Sequence, residues 1–434
     1  MPLRKIKKMI NKNEKLKTVT LTIVLIFIAV HIFLLIFYFG NPQHSDQVVH
    51  MNVANKAFSE GTWYPTSSNL YDNFIVAPGL INFLILQLKL FGTMNYNGVF
   101  QLLMNLTMLF EVYYIAKHFF SKVVGYIATI IYCLIYSNYM GILIWGTEIP
   151  FLFLCLTAFS LSLTKKWYNV LIASALLAMS NTIRPLSILF IVTICLYFAL
   201  SKTRWKQYAL LCIPFFLLNY GYGKINEARM GYFVNTSTTG GTNLLQTAND
   251  YADGTTSKGS NIIRAKDSKF AYANNTDKTV FEKDKMWHDA GIEWIKKNPG
   301  KYFKMFFYKV PYMYADDSWP ERLVIRDYYY RKASSDNKEK REYAISMFFK
   351  NIPYYIVFIL ALFGVVAYRK DLYKNRKKAY ISLLAYIIIG TGGTVLMPVM
   401  ARYHYPFLFV LIIFAAYTIE QIYNRKFRKD EAIS

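Results

Sequence analysis

The segment HSDQVVHMNVANKAFSEGTWYP, His44 to Pro65, begins four residues after a long apolar run ends. Its aspartate, Asp46, therefore stands at the edge of low-dielectric surroundings. A carboxylate there is either a hydrated interfacial charge or a base, because at hydrogen-bonding distance it can deprotonate an acceptor hydroxyl. Glu148, in YMGILIWGTEIPFLF, opens another apolar run 102 residues later. It is a second candidate catalytic acid, or a favourable charge at a helix amino terminus. Arg184 in SNTIRPLSIL and Arg402 in MPVMARYHYPFLF also lie between apolar runs. Arginine is costly there unless it is paired or serves an anion, and its planar fork suits phosphate oxygens. Either arginine alone could fix helix packing through a nearby carboxylate. Two of them, each followed within four residues by a proline (Pro185, Pro406), point to a lipid-phosphate site.

Further polar and aromatic residues are candidates for acceptor contact or support: His50, His404, Tyr405, Trp287 and Trp294. His44, Asp46 and His50 do not form a strong metal signature, since a helix would put only Asp46 and His50 on one face. A divalent metal stays possible, with no ligand set assigned. Asp316–Asp317 reads as a solvated or capping pair.

The elements that position these residues are membrane helices. Of 434 residues, 54% are hydrophobic and 18% charged, against nearer a quarter charged in ordinary soluble domains. Apolar runs long enough to span a bilayer, about twenty residues each, recur along the chain. The expected class is an all-α polytopic membrane protein. The net charge of +24 does not call for a nucleic acid partner, because much of it lies in short clusters between apolar runs: seven basic residues in Met1–Lys17, six in Arg369–Lys378 and four in Arg425–Lys429. Such clusters mark cytoplasmic loops. Cys133, Cys155, Cys195 and Cys212 all fall within apolar runs and read as small buried hydrophobes.

Threading the chain with these clusters inside gives ten crossings: 18–40, 98–116, 123–145, 149–164, 168–184, 185–201, 208–222, 351–368, 379–399 and 404–421. Both termini are then cytoplasmic and the candidate residues extracytoplasmic. Segment 74–92 is apolar enough to be an eleventh, but parity, Pro78–Gly79 and Lys89 favour an interfacial or partly inserted segment. Three regions follow. Residues 1–222 form a transmembrane catalytic module with a first outer loop at 41–97. Residues 223–350 form an extracytoplasmic region, and 351–434 close the bundle and end in a basic tail. Within the middle region 235–280 is loop-like in composition, and Asn235–Gly259 is expected to be mobile. FEKDKMWHDAGIEWIKKNP reads as an amphipathic helix stopped by Pro299.

The order of these motifs resembles the GT-C superfamily of integral-membrane glycosyltransferases, in the branch of protein O-mannosyltransferases and lipid A aminoarabinose transferases (glycosyltransferase family 39-like). An aspartate follows the first crossing, and TEIPFLFLCLTAFSLSL is similar to that branch's second-acid segment. NTIRPLSILF resembles its arginine–proline turn, GIEWIKKNPGKYFKMFFYKVPYMY the helix before its last bundle, and ARYHYPFLFVLIIF its closing arginine helix. The resemblance implies a bundle of about ten to eleven transmembrane helices with a large extracytoplasmic loop. It implies Asp46 as catalytic base, Glu148 as second acid, and Arg184 and Arg402 at the donor phosphate. One departure is DNFIVAPGL, where the aminoarabinose branch carries a lysine before a Pro-Pro pair.

The implied reaction moves a sugar from a polyprenyl-phosphate donor to an extracytoplasmic glycan, lipid or protein, with inversion. Nucleotide sugars are cytoplasmic, so an outward-facing enzyme needs a donor that crosses the bilayer. Its phosphate already leaves well, which leaves one base and phosphate-binding cations to be supplied. The alternative is an envelope polysaccharide polymerase or ligase, or a lipid flippase or transporter. Transporters usually carry internal repeats, and none is evident here.

Overall fold

Apolar runs in lipid must satisfy their backbone groups internally, and helices do so within one segment. The computed structural model describes residues 3–40, 43–324 and 337–433, and each of the ten expected crossings falls on helix. Five stretches are long and apolar enough to cross a membrane: Asn13–Phe37, Asn97–Phe119, Ala344–Ala367, Lys377–Val395 and Ala401–Arg425. A sixth is a broken pair, Lys122–Leu134 and Tyr136–Leu143, bent by 68°. Glu148–Leu163, Trp167–Ile183 and Ser187–Leu200 are apolar but shorter. Trp205–Met230 is long, with Pro214 inside it. Among the described residues, the count supported by length and composition is thus five or six.

The 74–92 segment forms the helix Pro78–Phe91 of 14 residues, rising roughly 21 Å, short of the ~30 Å hydrocarbon core. It packs against the Asp46–Ser59 and Trp167–Ile183 helices, burying Leu80, Ile81, Leu84 and Ile85 completely. The closing helix is the most deeply buried of the five long apolar stretches. Phe407 to Tyr417 are buried without interruption, packed against the Lys122–Leu134 helix and the Asn337–Ala367 helix.

The break after Leu134 has a polar cause. The Asn138 amide donates to the Tyr132 carbonyl at 2.9 Å, and the Asn138 carbonyl accepts from Asn105 at 2.8 Å. His31 Nε2 lies 3.0 Å from that same carbonyl. Side chains from three helices so replace the backbone bonds lost at the bend, the condition for a broken helix inside a membrane.

The described residues of the 223–350 region are folded. The expected boundaries at 222 and 350 fall inside the Trp205–Met230 and Asn337–Ala367 helices, which extend past their apolar parts. Residues 235–259, expected to be mobile, instead contain the helix Gly240–Thr247 docked on Val280–Lys297. Their glycines serve close approach. A Cβ at Gly241 would lie 1.9 Å from the Asp284 carbonyl oxygen, and one at Gly259 1.7 Å from that of Gln246. Leu245 packs with Ile263 and Trp287 in a small apolar core, and Asn249 donates to the carbonyls of Leu245 and Gly259 at 2.7 and 3.1 Å.

The amphipathic helix forms as expected, over Val280–Lys297. It is capped by Thr279, whose hydroxyl accepts from the Glu282 amide while the Glu282 carboxylate accepts from the Thr279 amide. Pro299 ends it and also opens the next helix, Pro299–Met313.

Candidate active site

The four charged residues singled out in the sequence meet at helix ends. Asp46 is the first residue of Asp46–Ser59, and Glu148 the first of Glu148–Leu163. Both carboxylates therefore sit where free amides and the helix dipole favour negative charge. Arg184 follows the last residue of Trp167–Ile183, and Arg402 lies in the 3₁₀ turn Ala401–Phe407 that precedes the closing helix.

They form one chain of ion pairs. The Arg402 guanidinium donates to Asp46 Oδ2 at 2.5 Å, and its Nε stands 3.6 Å from Glu148 Oε1. Arg184 donates to Glu148 Oε1 at 2.5 Å and to Thr147 Oγ1 at 2.7 Å. Burial is graded along the chain. Glu148 is 2% exposed, the arginines 13–15%, and Asp46 53%. Asp46 is thus the member most open to solvent. Burial pushes its carboxyl up, but the neighbouring Arg402 guanidinium outweighs this and holds it below the ordinary aspartate range. It is ionised at neutral pH. His50, one turn along the same helix, is buried, and burial lowers its pKa despite the pull of Asp46 and Glu148. It stays neutral.

The cluster opens into a cavity of about 680 Å³. Three kinds of surface line it. The charged chain and His50 form one wall. An apolar side comes from Leu186, Met397, Pro398, Met400 and Tyr403. The outer region supplies hydroxyls and amides, including Thr239, Thr242, Asn243, Gln246, Thr256 and Ser257, together with Arg264 and Tyr272.

The other candidates lie elsewhere. His404 is fully buried, its Nε2 3.1 Å from Asp317 Oδ1 and its Nδ1 2.5 Å from the Ala401 carbonyl. Tyr405 is buried and donates to Asn138 at 3.2 Å. Both brace the Arg402 turn from beneath and neither lines the cavity. Asp317 is accordingly interior rather than solvated, also accepting from the Ser137 amide at 3.1 Å. Trp287 is fully buried and donates to the Phe270 carbonyl, and Trp294 donates to Asp250; neither reaches the cavity, so an acceptor-stacking role for them does not fit.

The carboxylates of Asp46 and Glu148 are each aimed at a guanidinium, and no group of three His, Cys, Asp or Glu converges among the described residues. Sequence reasoning missed the outer-region wall, because Thr, Asn and Ser in a loop carry no signal of which way they face.

No family model matches the chain, and no curated protein matches it by sequence. Solved structures do match. The apo oligosaccharyltransferase of Archaeoglobus fulgidus superposes with a TM-score of 0.51 at 11% identity, over 96% of this chain and 52% of that one. The archaeal oligosaccharyltransferase AglB from the same organism, in complex with an inhibitory peptide and a dolichol-phosphate, gives 0.50 at 12% identity with the same coverage. The chain has the GT-C fold. It spans about half the length of the solved structures it matches. With this fold and its long apolar helices, the chain is an integral membrane protein.

Proposed function

We propose that the chain is a membrane glycosyltransferase that moves a sugar from a polyprenyl-phosphate donor to an acceptor hydroxyl on the extracytoplasmic face. The observation that carries this reading is the chain Asp46–Arg402–Glu148–Arg184 at the wall of a large cavity. The fold supports it, as does the dolichol-phosphate bound to one of the solved neighbours. The basic clusters between apolar helices favour cytoplasmic termini and an outward-facing site.

In this reading the donor phosphate enters between the guanidiniums of Arg402 and Arg184. Arg402 turns from Asp46 to the phosphate, and Glu148 holds both arginines in place from its buried position. The freed Asp46 carboxylate accepts the acceptor's proton as its oxygen bonds to the anomeric carbon. The bond from that carbon to the phosphate oxygen breaks on the opposite face, and its electron pair stays on the polyprenyl phosphate. The anomeric centre inverts. The apolar side at Met397 and Met400 gives the lipid a way out of the polar site.

Asp46→Asn keeps size and hydrogen bonding but removes the base. It should lower turnover by about two orders of magnitude or more while the purified protein still binds undecaprenyl phosphate. Transfer measured with radiolabelled polyprenyl-phosphate sugars checks this, and full activity in the variant would remove Asp46 from the mechanism. An envelope polymerase or ligase would instead require a pyrophosphate-linked glycan, so the donor accepted in that assay separates the two.

A further inference from the structure

The charged residues lining the cavity are Asp46, Glu148, Arg184, Arg264 and Arg402. Four of them neutralise one another in the ion-pair chain. Arg264 is left over. It is exposed, at the end of the short helix Asn261–Arg264, and has no ion-pair partner among the described residues. The cavity therefore carries one uncompensated positive charge on the wall supplied by the outer region.

That wall has a defined chemistry. Arg264 shares the cavity lining with two half-buried rings, Tyr272 and, from the 41–97 loop, Phe74, edge to face with centroids 6.1 Å apart. Tyr272 is locked from behind by the buried Trp287, edge to face at 5.4 Å. Beyond them are the hydroxyls and amides of Thr239, Asn243, Gln246, Thr256 and Ser257. Thr242 adds a buried hydroxyl with no hydrogen-bond partner among the described residues. Among the described residues, none of the side chains that the outer region contributes to the lining is a carboxylate. Rings, neutral hydrogen-bonding groups and one free guanidinium suit a saccharide bearing one anionic substituent.

The wall is also held firmly in place. Gly241 accepts no side chain against Asp284, and the Val399 amide donates to the Gly254 carbonyl at 3.0 Å. The buried Lys309 ammonium donates to Thr247 Oγ1 and to the Val395 carbonyl at 3.0 Å. These contacts tie it to the segment that carries Arg402. A preformed wall loses little entropy on binding.

We infer that Phe74, Tyr272 and Arg264 form the acceptor subsite, and that it selects a saccharide carrying a carboxylate or a phosphate monoester. This rests on the glycosyltransferase reading, and it assigns the outer region to acceptor selection rather than to the donor.

The test uses the full-length protein in nanodiscs. Binding is measured by calorimetry for cellobiose, its glucuronyl analogue and its 6-phosphate, and separately for undecaprenyl phosphate. The wild type should bind the two anionic disaccharides about tenfold tighter than cellobiose, as a charged hydrogen bond at a partly exposed rim allows. Arg264→Ala should abolish that preference and leave undecaprenyl phosphate binding unchanged. Arg264→Lys should keep part of it, as a point charge without the fork. No preference in the wild type, or an unchanged preference in Arg264→Ala, overturns the inference. So does a loss of undecaprenyl phosphate binding in Arg264→Ala, which would make the residue part of the donor site. A wild type that prefers anionic disaccharides but does not bind undecaprenyl phosphate would sink the donor reading and leave Arg264 as the anion receptor.

Discussion

Glu148 and Asp46 carry the same charge and each meets a guanidinium at 2.5 Å, yet their removal should have different consequences. Glu148 feels two guanidiniums, at 2.5 and 3.6 Å. At an effective dielectric constant of about 20 these contacts are worth roughly 7 and 5 kcal/mol before desolvation. Desolvation cancels much of this while the cluster is intact. Glu148→Gln breaks the balance, leaving Arg184 and Arg402 with only the peripheral Asp46 between them. Removing one partner of a buried pair costs about 3–5 kcal/mol, and Glu148 is 2% exposed. Asp46 is 53% exposed, so water replaces its role and Asp46→Asn should cost about 1 kcal/mol or less. Chemical denaturation of the detergent-solubilised protein, followed by tryptophan fluorescence, reads the difference. Adding Arg184→Met to Glu148→Gln removes an opposite charge, and the double variant should be more stable than Glu148→Gln alone. Equal costs for the two carboxylate variants, or a strictly additive double variant, would refute the burial argument.

Two further outcomes concern the outer region. Lys309 is fully buried with no carboxylate partner among the described residues, and burial lowers its pKa from 10.5 to about 8. Between those values the unfolded chain holds the extra proton, so this group makes stability rise with pH through that window. Lys309→Met should flatten the rise in thermal stability between pH 8 and 10, and parallel curves for the two proteins would exclude the assignment. Gly241→Ala places a methyl 1.9 Å from the Asp284 carbonyl oxygen and should undock the Gly240–Thr247 helix at a cost of about 1–3 kcal/mol. Hydrogen exchange across 240–259 should speed up in the variant, and unchanged protection would count against the close packing.

The bundle was legible because lipid leaves the backbone few options. Each expected crossing fell on helix, and the basic clusters and apolar runs sufficed to bring Asp46, Glu148, Arg184 and Arg402 to one end. What escaped was whatever depends on side chains meeting across the chain. The bend after Leu134 has no proline at it and is held by His31, Asn105 and Asn138, residues 107 and 33 positions apart in their contacts. The 235–259 stretch looked mobile because apolar content was taken as the measure of packing. Here Leu244 and Leu245 are buried, glycine lets backbones touch, and asparagine satisfies buried carbonyls. Composition alone does not separate that use of Gly, Asn and Thr from disorder.

The pairing of acids with arginines has a functional consequence that neither residue type announces by itself. Sequence reading gives the carboxylate to the acceptor and the guanidiniums to the phosphate, as though each waited free for its substrate. In the folded chain they occupy one another. Arg402 keeps the buried Glu148 beside it, and the half-exposed Asp46 stands in for the donor phosphate until it arrives. In the proposed reaction the exchange then couples two events: phosphate capture by Arg402 withdraws the cation from Asp46, whose carboxyl rises toward its ordinary pKa and becomes a better base only once the donor is in place. An acceptor alone would find Asp46 still held at 2.5 Å, which orders the two substrates, donor first.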